Sequence, residues 1–130
     1  MIGLDSSTII DFFKNDESLR KLLETISMPL VINRISYLEI MFGLDFSNPS
    51  HKIEEEFYDR LFDSLLIFDL REQACKKSTE IFWQLKRSGK IIDLFDCTIA
   101  GIYLANGVNK IITRNVKHFE NIKELKVISY

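Results

Sequence analysis

Cysteine is scarce, and the two present, Cys75 and Cys97, stand in no C-x-x-C spacing. A zinc site or a disulfide framework is therefore not expected, and the usage fits the cytoplasm. Proline and glycine are few, at 2 and 5 residues, and no low-complexity tract appears, which argues against a disordered or fibrous chain. No window reaches the roughly 18 uncharged apolar residues that span a bilayer. The opening "MIGLDSS" has neither a basic start nor a long apolar stretch, so no membrane or export route is expected. An excess of positive charge is also missing: 17 Lys and Arg face 19 Asp and Glu, for a net charge of −2. A protein that holds nucleic acid by bulk attraction is thereby disfavoured, and any such contact must be local.

What the sequence does have is apolar content, 46% over 130 residues, enough to bury a core in one domain, residues 1–130. "IGLD" reads as a short buried strand, and "SSTIIDFF" as a capped helix. "DESLRKLLETI" follows with Leu19, Leu22, Leu23 and Ile26 on one helical face. "MPLVIN" is a second strand, "SYLEIMFGL" a helix, and "HKIEEEFYDRLFDSL" another, carrying Ile53, Phe57 and Leu61. "LLIFDL" is a third strand, and a long helix runs from about Arg71 to Arg87, with Gly89 at its end and an apolar stripe through Ile81, Phe82, Trp83 and Leu85. A helix opens at Asp93 and ends at Gly107, and "NKIITRN" and "LKVISY" supply the last strands. Alternating strands and helices predict an α/β fold of three layers: a mostly parallel sheet of about five strands with helices on both faces.

In such a sheet ligands bind beyond the carboxyl ends of the strands. Four places there carry chemistry: Asp5 after the first strand, Glu39 in the helix after the second, Asp93 with Asp96 at the start of the late helix, and "TRNVKHF" after the fourth strand. Each acid has a plain alternative. Asp5 and Asp93 suit helix caps, Asp96 suits the helix dipole, and Glu39 suits a solvated face. The joint pattern is harder to explain that way. Three carboxylates brought to about 5 Å repel pairwise by roughly 3 kcal/mol at an effective dielectric near 20. They need a cation, and oxygen-only ligands favour Mg²⁺ or Mn²⁺, which activate water and stabilise a phosphodiester under attack.

With those residues in view, "GLDSSTIIDFF", "INRISYLEIMFGL" and "DLFDCTIAGIYLANGVNKIITRNVKHF" together resemble a PIN-domain protein of the VapC type, a ribonuclease toxin of a toxin–antitoxin pair. The resemblance covers essentially the whole chain in order. It implies that Asp5, Glu39 and Asp96 bind Mg²⁺ or Mn²⁺ and cut single-stranded regions of RNA, with Thr113 and Asn115 as the supporting polar corner. It also implies a homodimer and a VapB-like antitoxin. His118 stands where such proteins commonly carry a fourth acid, so one metal ion is expected rather than two.

Thr113 is placed to donate its hydroxyl to a carboxylate, and Asn115 to cap the turn after it, with Phe119 as that turn's apolar anchor. Arg114 is expected in solvent, or against the carboxylates or an RNA phosphate, and His118 in a surface or capping role. The cations of "KRSGK", residues 86–90, read as decoration of a helix end with RNA contact as the alternative. Two other functions compete: a PIN-like fold that only binds RNA or protein, and a receiver domain with Asp69 as phosphoacceptor. The second lacks the acidic pair and lysine such a domain needs.

Overall fold

A computed structural model describes residues 1–130. Strand β1 (Ile2–Leu4) leads into helices α1 (Ser6–Phe13) and α2 (Glu17–Glu24), then β2 (Leu30–Asn33), α3 (Arg34–Phe42) and α4 (His51–Ser64). Strand β3 (Leu66–Phe68) precedes the pair α5 (Glu72–Arg87) and α6 (Leu94–Ala105). Strand β4 (Lys110–Ile112), a 3₁₀ turn (Val116–His118) and β5 (Lys126–Ile128) complete the chain. The five strands form one sheet in the order β3-β2-β1-β4-β5, and every neighbouring pair is parallel.

Successive side chains of a strand point to opposite faces, and this sheet uses both. Val31 and Ile111 pack with Ala74, Ile81, Leu85, Ile99 and Ile102 under α5 and α6. Their strand neighbours Ile32 and Ile112 pack with Ile9, Leu19, Tyr58 and Phe62 under α1, α2 and α4. Two cores on one sheet make the three layers expected. The helices start where their caps say: Asp5 accepts from Thr8 N at 3.0 Å, Asp16 from Leu19 N at 2.9 Å, Asn33 from Ser36 N at 2.8 Å and Asp93 from Phe95 N at 2.8 Å.

One contact fixes the sheet against α6. The Tyr103 ring lies on Gly3, where an added Cβ would stand 2.5 Å from a ring carbon. The buried Tyr103 hydroxyl donates to Leu4 O and accepts from Asn33 Nδ2 at 2.9 Å. The carboxyl ends of β1 and β2 are thus tied to the helix that bears Asp96.

Two apolar assignments are corrected. Ile53 is 71% exposed, because the row through the buried Tyr58 and Phe62 runs back to Glu54, four residues before Tyr58, and leaves Ile53 off the face. Trp83 is half-exposed between the buried Ile81 and Leu85, and Lys86 Nζ sits 4.8 Å from its ring centroid.

Candidate metal and phosphodiester site

Asp5 follows β1 at the carboxyl edge of the sheet and is 3% exposed. Both of its oxygens are engaged. Thr113 Oγ1 donates to Oδ2 at 2.6 Å, Ser7 Oγ lies 2.8 and 3.0 Å from Oδ1 and Oδ2, and the backbone of Thr8 caps onto Oδ1. Asp5 is therefore both the cap of α1 and a fixed member of the site. Glu39, on α3, is half-buried, and Ser6 Oγ donates to its Oε1 at 3.0 Å. Burial raises its pKa against the lowering effect of that hydrogen bond, and the charges of Asp5 and Asp93 raise it further.

Asp96, in the first turn of α6, is 9% exposed, and His118 Nδ1 lies 3.0 Å from its Oδ2. Its pKa is pushed up to about 6, first by burial; the His118 imidazole opposes this, while Glu39, Asp93 and Asp5 add to it. Asp93 caps α6, as its position suggested, and its charge bears on both Glu39 and Asp96. Asp5, Glu39, Asp93 and Asp96 form no ion pair with any lysine or arginine.

The chain matches the PIN domain family model over residues 2–125. It belongs to the PIN-domain family. Ribonuclease VapC1 of Methanocaldococcus jannaschii is 30% identical over 131 residues, covering 99% of this chain and 86% of that protein. Solved structures share the fold. VapBC2 from Rickettsia felis, bound to a fragment of its promoter DNA, aligns over 100% of this chain and 99% of its own with a TM-score of 0.85 and 22% identity. VapBC-1 from nontypeable Haemophilus influenzae aligns over 99% and 98%, with a TM-score of 0.82 and 26% identity.

In this PIN domain the donor set suits a hard divalent cation. It consists of carboxylate oxygens that are wholly or partly desolvated and unpaired with lysine or arginine, and among them Glu39 and Asp96 are raised in pKa, first by burial and then by neighbouring carboxylates. As placed, no three His, Cys, Asp or Glu side chains share one ligation point. The acids face one another electrostatically without closing on a common centre.

The polar corner differs in part from expectation. Thr113 donates to Asp5 as expected, and Phe119 is fully buried beneath the turn. Asn115 occupies the cap position of the 3₁₀ turn, but its side chain makes no capping bond; its backbone N–H donates to Thr113 Oγ1 at 2.9 Å instead. The N–H of His118 is taken by the Asn115 backbone carbonyl at 3.0 Å, so the turn closes without the Asn115 side chain. Arg114 is not free in solvent: Nη1 donates to Asp11 Oδ1 at 2.6 Å, and Asp11 also accepts from Tyr130 Oη at 2.6 Å. A buried carboxylate demands that partner. His118 is half-exposed, yet it is neither a cap nor a plain surface residue, since its ring contacts Asp96.

Ser6, Ser7 and Asp11 were missed as site residues. The signal for Ser6 and Ser7 was present in "DSST", hydroxyls directly after a candidate ligand. Nothing local marks Asp11, whose partners are 103 and 119 residues away.

Proposed function

We infer that this PIN domain is an endoribonuclease that hydrolyses phosphodiester bonds in single-stranded RNA, using Mg²⁺ or Mn²⁺ held by Asp5, Glu39 and Asp96. The observation that carries the reading is the group of carboxylates at the carboxyl edge of a parallel sheet, unpaired with lysine or arginine, in which burial and neighbouring charge raise the pKa of Glu39 and Asp96. A bound cation there supplies a water of lowered pKa and offsets charge on the phosphate under attack.

The chain's own residues prepare that group. Asp5 is held rigid by Ser7, Thr113 and the α1 backbone. Ser6 orients Glu39 through Oε1 and leaves Oε2 unbonded. His118 orients Asp96 through Oδ2 and leaves Oδ1 unbonded. Two carboxylates thus each keep one oxygen available, while hydroxyl and imidazole fix their direction. Thr113 and Asn115 act on the site through Asp5, the second by its backbone.

The ribonuclease name of the M. jannaschii relative supports RNA as the substrate. Solved neighbours that are toxin–antitoxin complexes support a VapB-like antitoxin as partner. Phe42, Phe46 and Ile53, each more than two-thirds exposed, offer apolar surface for that antitoxin or for a second copy in a homodimer. Two free thiols, and no helix long and apolar enough to cross a membrane, support action in the cytoplasm.

The test is cleavage of a labelled single-stranded RNA by the purified chain. Cutting is expected with Mg²⁺ or Mn²⁺, none with EDTA, and background rates for Asp5→Asn, Glu39→Gln and Asp96→Asn. Full activity in EDTA rejects the mechanism. Tight RNA binding with no cleavage under any metal would instead favour a PIN fold that only binds.

A further inference from the structure

We propose that Arg34 is a second RNA contact of this PIN domain, binding a backbone phosphate beside the one that is cut; the proposal rests on the nuclease reading above. Strand register pairs Gly3 with Val31, which sets Arg34, the first residue after β2, at the same carboxyl edge as Asp5 and Ser6. Among the first two residues after each of the five strands, the only cations are Arg34 and Arg114. With the order β3-β2-β1-β4-β5, they lie on opposite sides of Asp5.

The acids that hold these two arginines differ. Asp11 has a side chain only 5% exposed, so Arg114 neutralises a buried charge that the fold cannot leave alone. Arg34 Nε donates to Asp69 Oδ1 at 3.0 Å, but the Asp69 side chain is 55% exposed and water can solvate it without help. The fold therefore has little use for the charge of Arg34. That bond takes one of five guanidinium N–H groups. The rest of the group is held in place: Cζ lies 5.5 Å from the Tyr37 ring centroid, and Tyr37 is itself fixed by donating to Asp59 at 2.7 Å. A half-exposed guanidinium with unused donors thus stands one strand from the acidic centre.

RNA needs such a group here. A phosphate entering among Asp5, Glu39 and Asp96 meets like charge, and the chain's net charge of −2 gives no general attraction to offset it. A fixed guanidinium fork binds phosphate through paired N–H donors, with directional contact that a mobile lysine does not match.

Binding of a fluorescent single-stranded oligoribonucleotide, followed by anisotropy across a salt series, tests this. The full-length Asp96→Asn chain with Mg²⁺ serves as a non-cleaving parent. Adding Arg34→Ala is expected to reduce the slope of log K against log salt by about 0.7 and to weaken binding about eightfold near 0.05 M salt. Adding Asp69→Ala is expected to keep the parent slope, because the phosphate contact survives. An unchanged slope in the Arg34→Ala chain overturns the proposal. Equal losses from Asp69→Ala and Arg34→Ala also overturn it, since they mark a pair that only shapes the loop. A wild-type chain that neither cleaves nor binds RNA with Mg²⁺ or Mn²⁺ removes the nuclease reading and this proposal together, whereas a parent that binds no RNA, or one that binds while Arg34→Ala binds equally well, removes this proposal alone.

Discussion

At Asp96, burial and three neighbouring carboxylates oppose ionisation while the His118 imidazole favours it, and the balance leaves the pKa near 6. The unfolded chain releases the same proton near pH 4. Between those values the folded state holds more protons than the unfolded one, so stability falls as pH rises through this window. This is opposite in sign to a salt-bridged aspartate. In EDTA, urea denaturation of the wild type should give a midpoint that declines from about pH 4 to about pH 6. Asp96→Asn, which keeps an oxygen for His118, should flatten the decline and be at least as stable at pH 7. A variant that melts well below wild type at pH 7 would show that the carboxylate stabilises the metal-free fold. The sequence could nominate Asp96, but the size of its perturbation depends on Glu39, Asp5 and His118, which only the fold brings near.

The helices were readable because their signals are local. Asp5, Asp16, Asn33 and Asp93 each occupy a cap position and each makes the capping bond. The 3.6-residue period marks the faces, apart from Ile53 and Trp83, which are apolar but out of phase. What stayed hidden is contact between elements. Gly101 interrupts the apolar run of α6 for no local reason, and the cause is α5: a Cβ on Gly101 would stand 2.0 Å from Ser78 Oγ and 2.7 Å from its backbone N. The two helices approach this closely beside the turn that carries Asp96. Because backbone cannot swing aside as a side chain can, Gly101→Ala should force α5 and α6 apart and cost about 1 to 3 kcal/mol. Gly107→Ala should cost about 1 kcal/mol by backbone strain alone, its φ being +76°. Denaturation midpoints measure both, and cleavage rates separate them. The Gly101 variant should lose activity beyond its loss of stability because it displaces Asp96, while the Gly107 variant should retain activity wherever it is folded. If Gly101→Ala unfolds at the wild-type midpoint, α5 and α6 do not pack this closely at Gly101 and Ser78.

Across the whole molecule, the parallel three-layer architecture followed from alternating strands and helices, and the sheet's carboxyl edge followed from the architecture. That edge was where to look, and Asp5, Glu39, Asp93, Asp96 and Thr113 are found along it. The pairings of Arg114 with Asp11 and of Arg34 with Asp69 were not legible, because each joins separate elements with no spacing rule between them. If the proposed site holds a metal, the same edge should make the fold sensitive to divalent cations. Glu39 and Asp96 are both raised in pKa, so the metal-free fold carries an electrostatic cost that a divalent cation bound as proposed would offset. A ligand that binds only the folded state stabilises it by about 2.7 kcal/mol at one hundred times its Kd. The wild-type melting temperature should therefore climb with Mg²⁺ or Mn²⁺, continuing well above Kd with the logarithm of concentration, while NaCl at matched ionic strength should not reproduce the rise. Asp96→Asn should begin from a similar or higher melting temperature in EDTA and gain much less from metal. Removing the side chains that orient the two carboxylates sets the scale between these limits: Ser6→Ala frees Glu39 and His118→Ala frees Asp96, and each should shift the metal curve to higher concentration without abolishing it. A wild-type melting temperature indifferent to both metals would mean that these carboxylates do not hold a cation, whatever the fold.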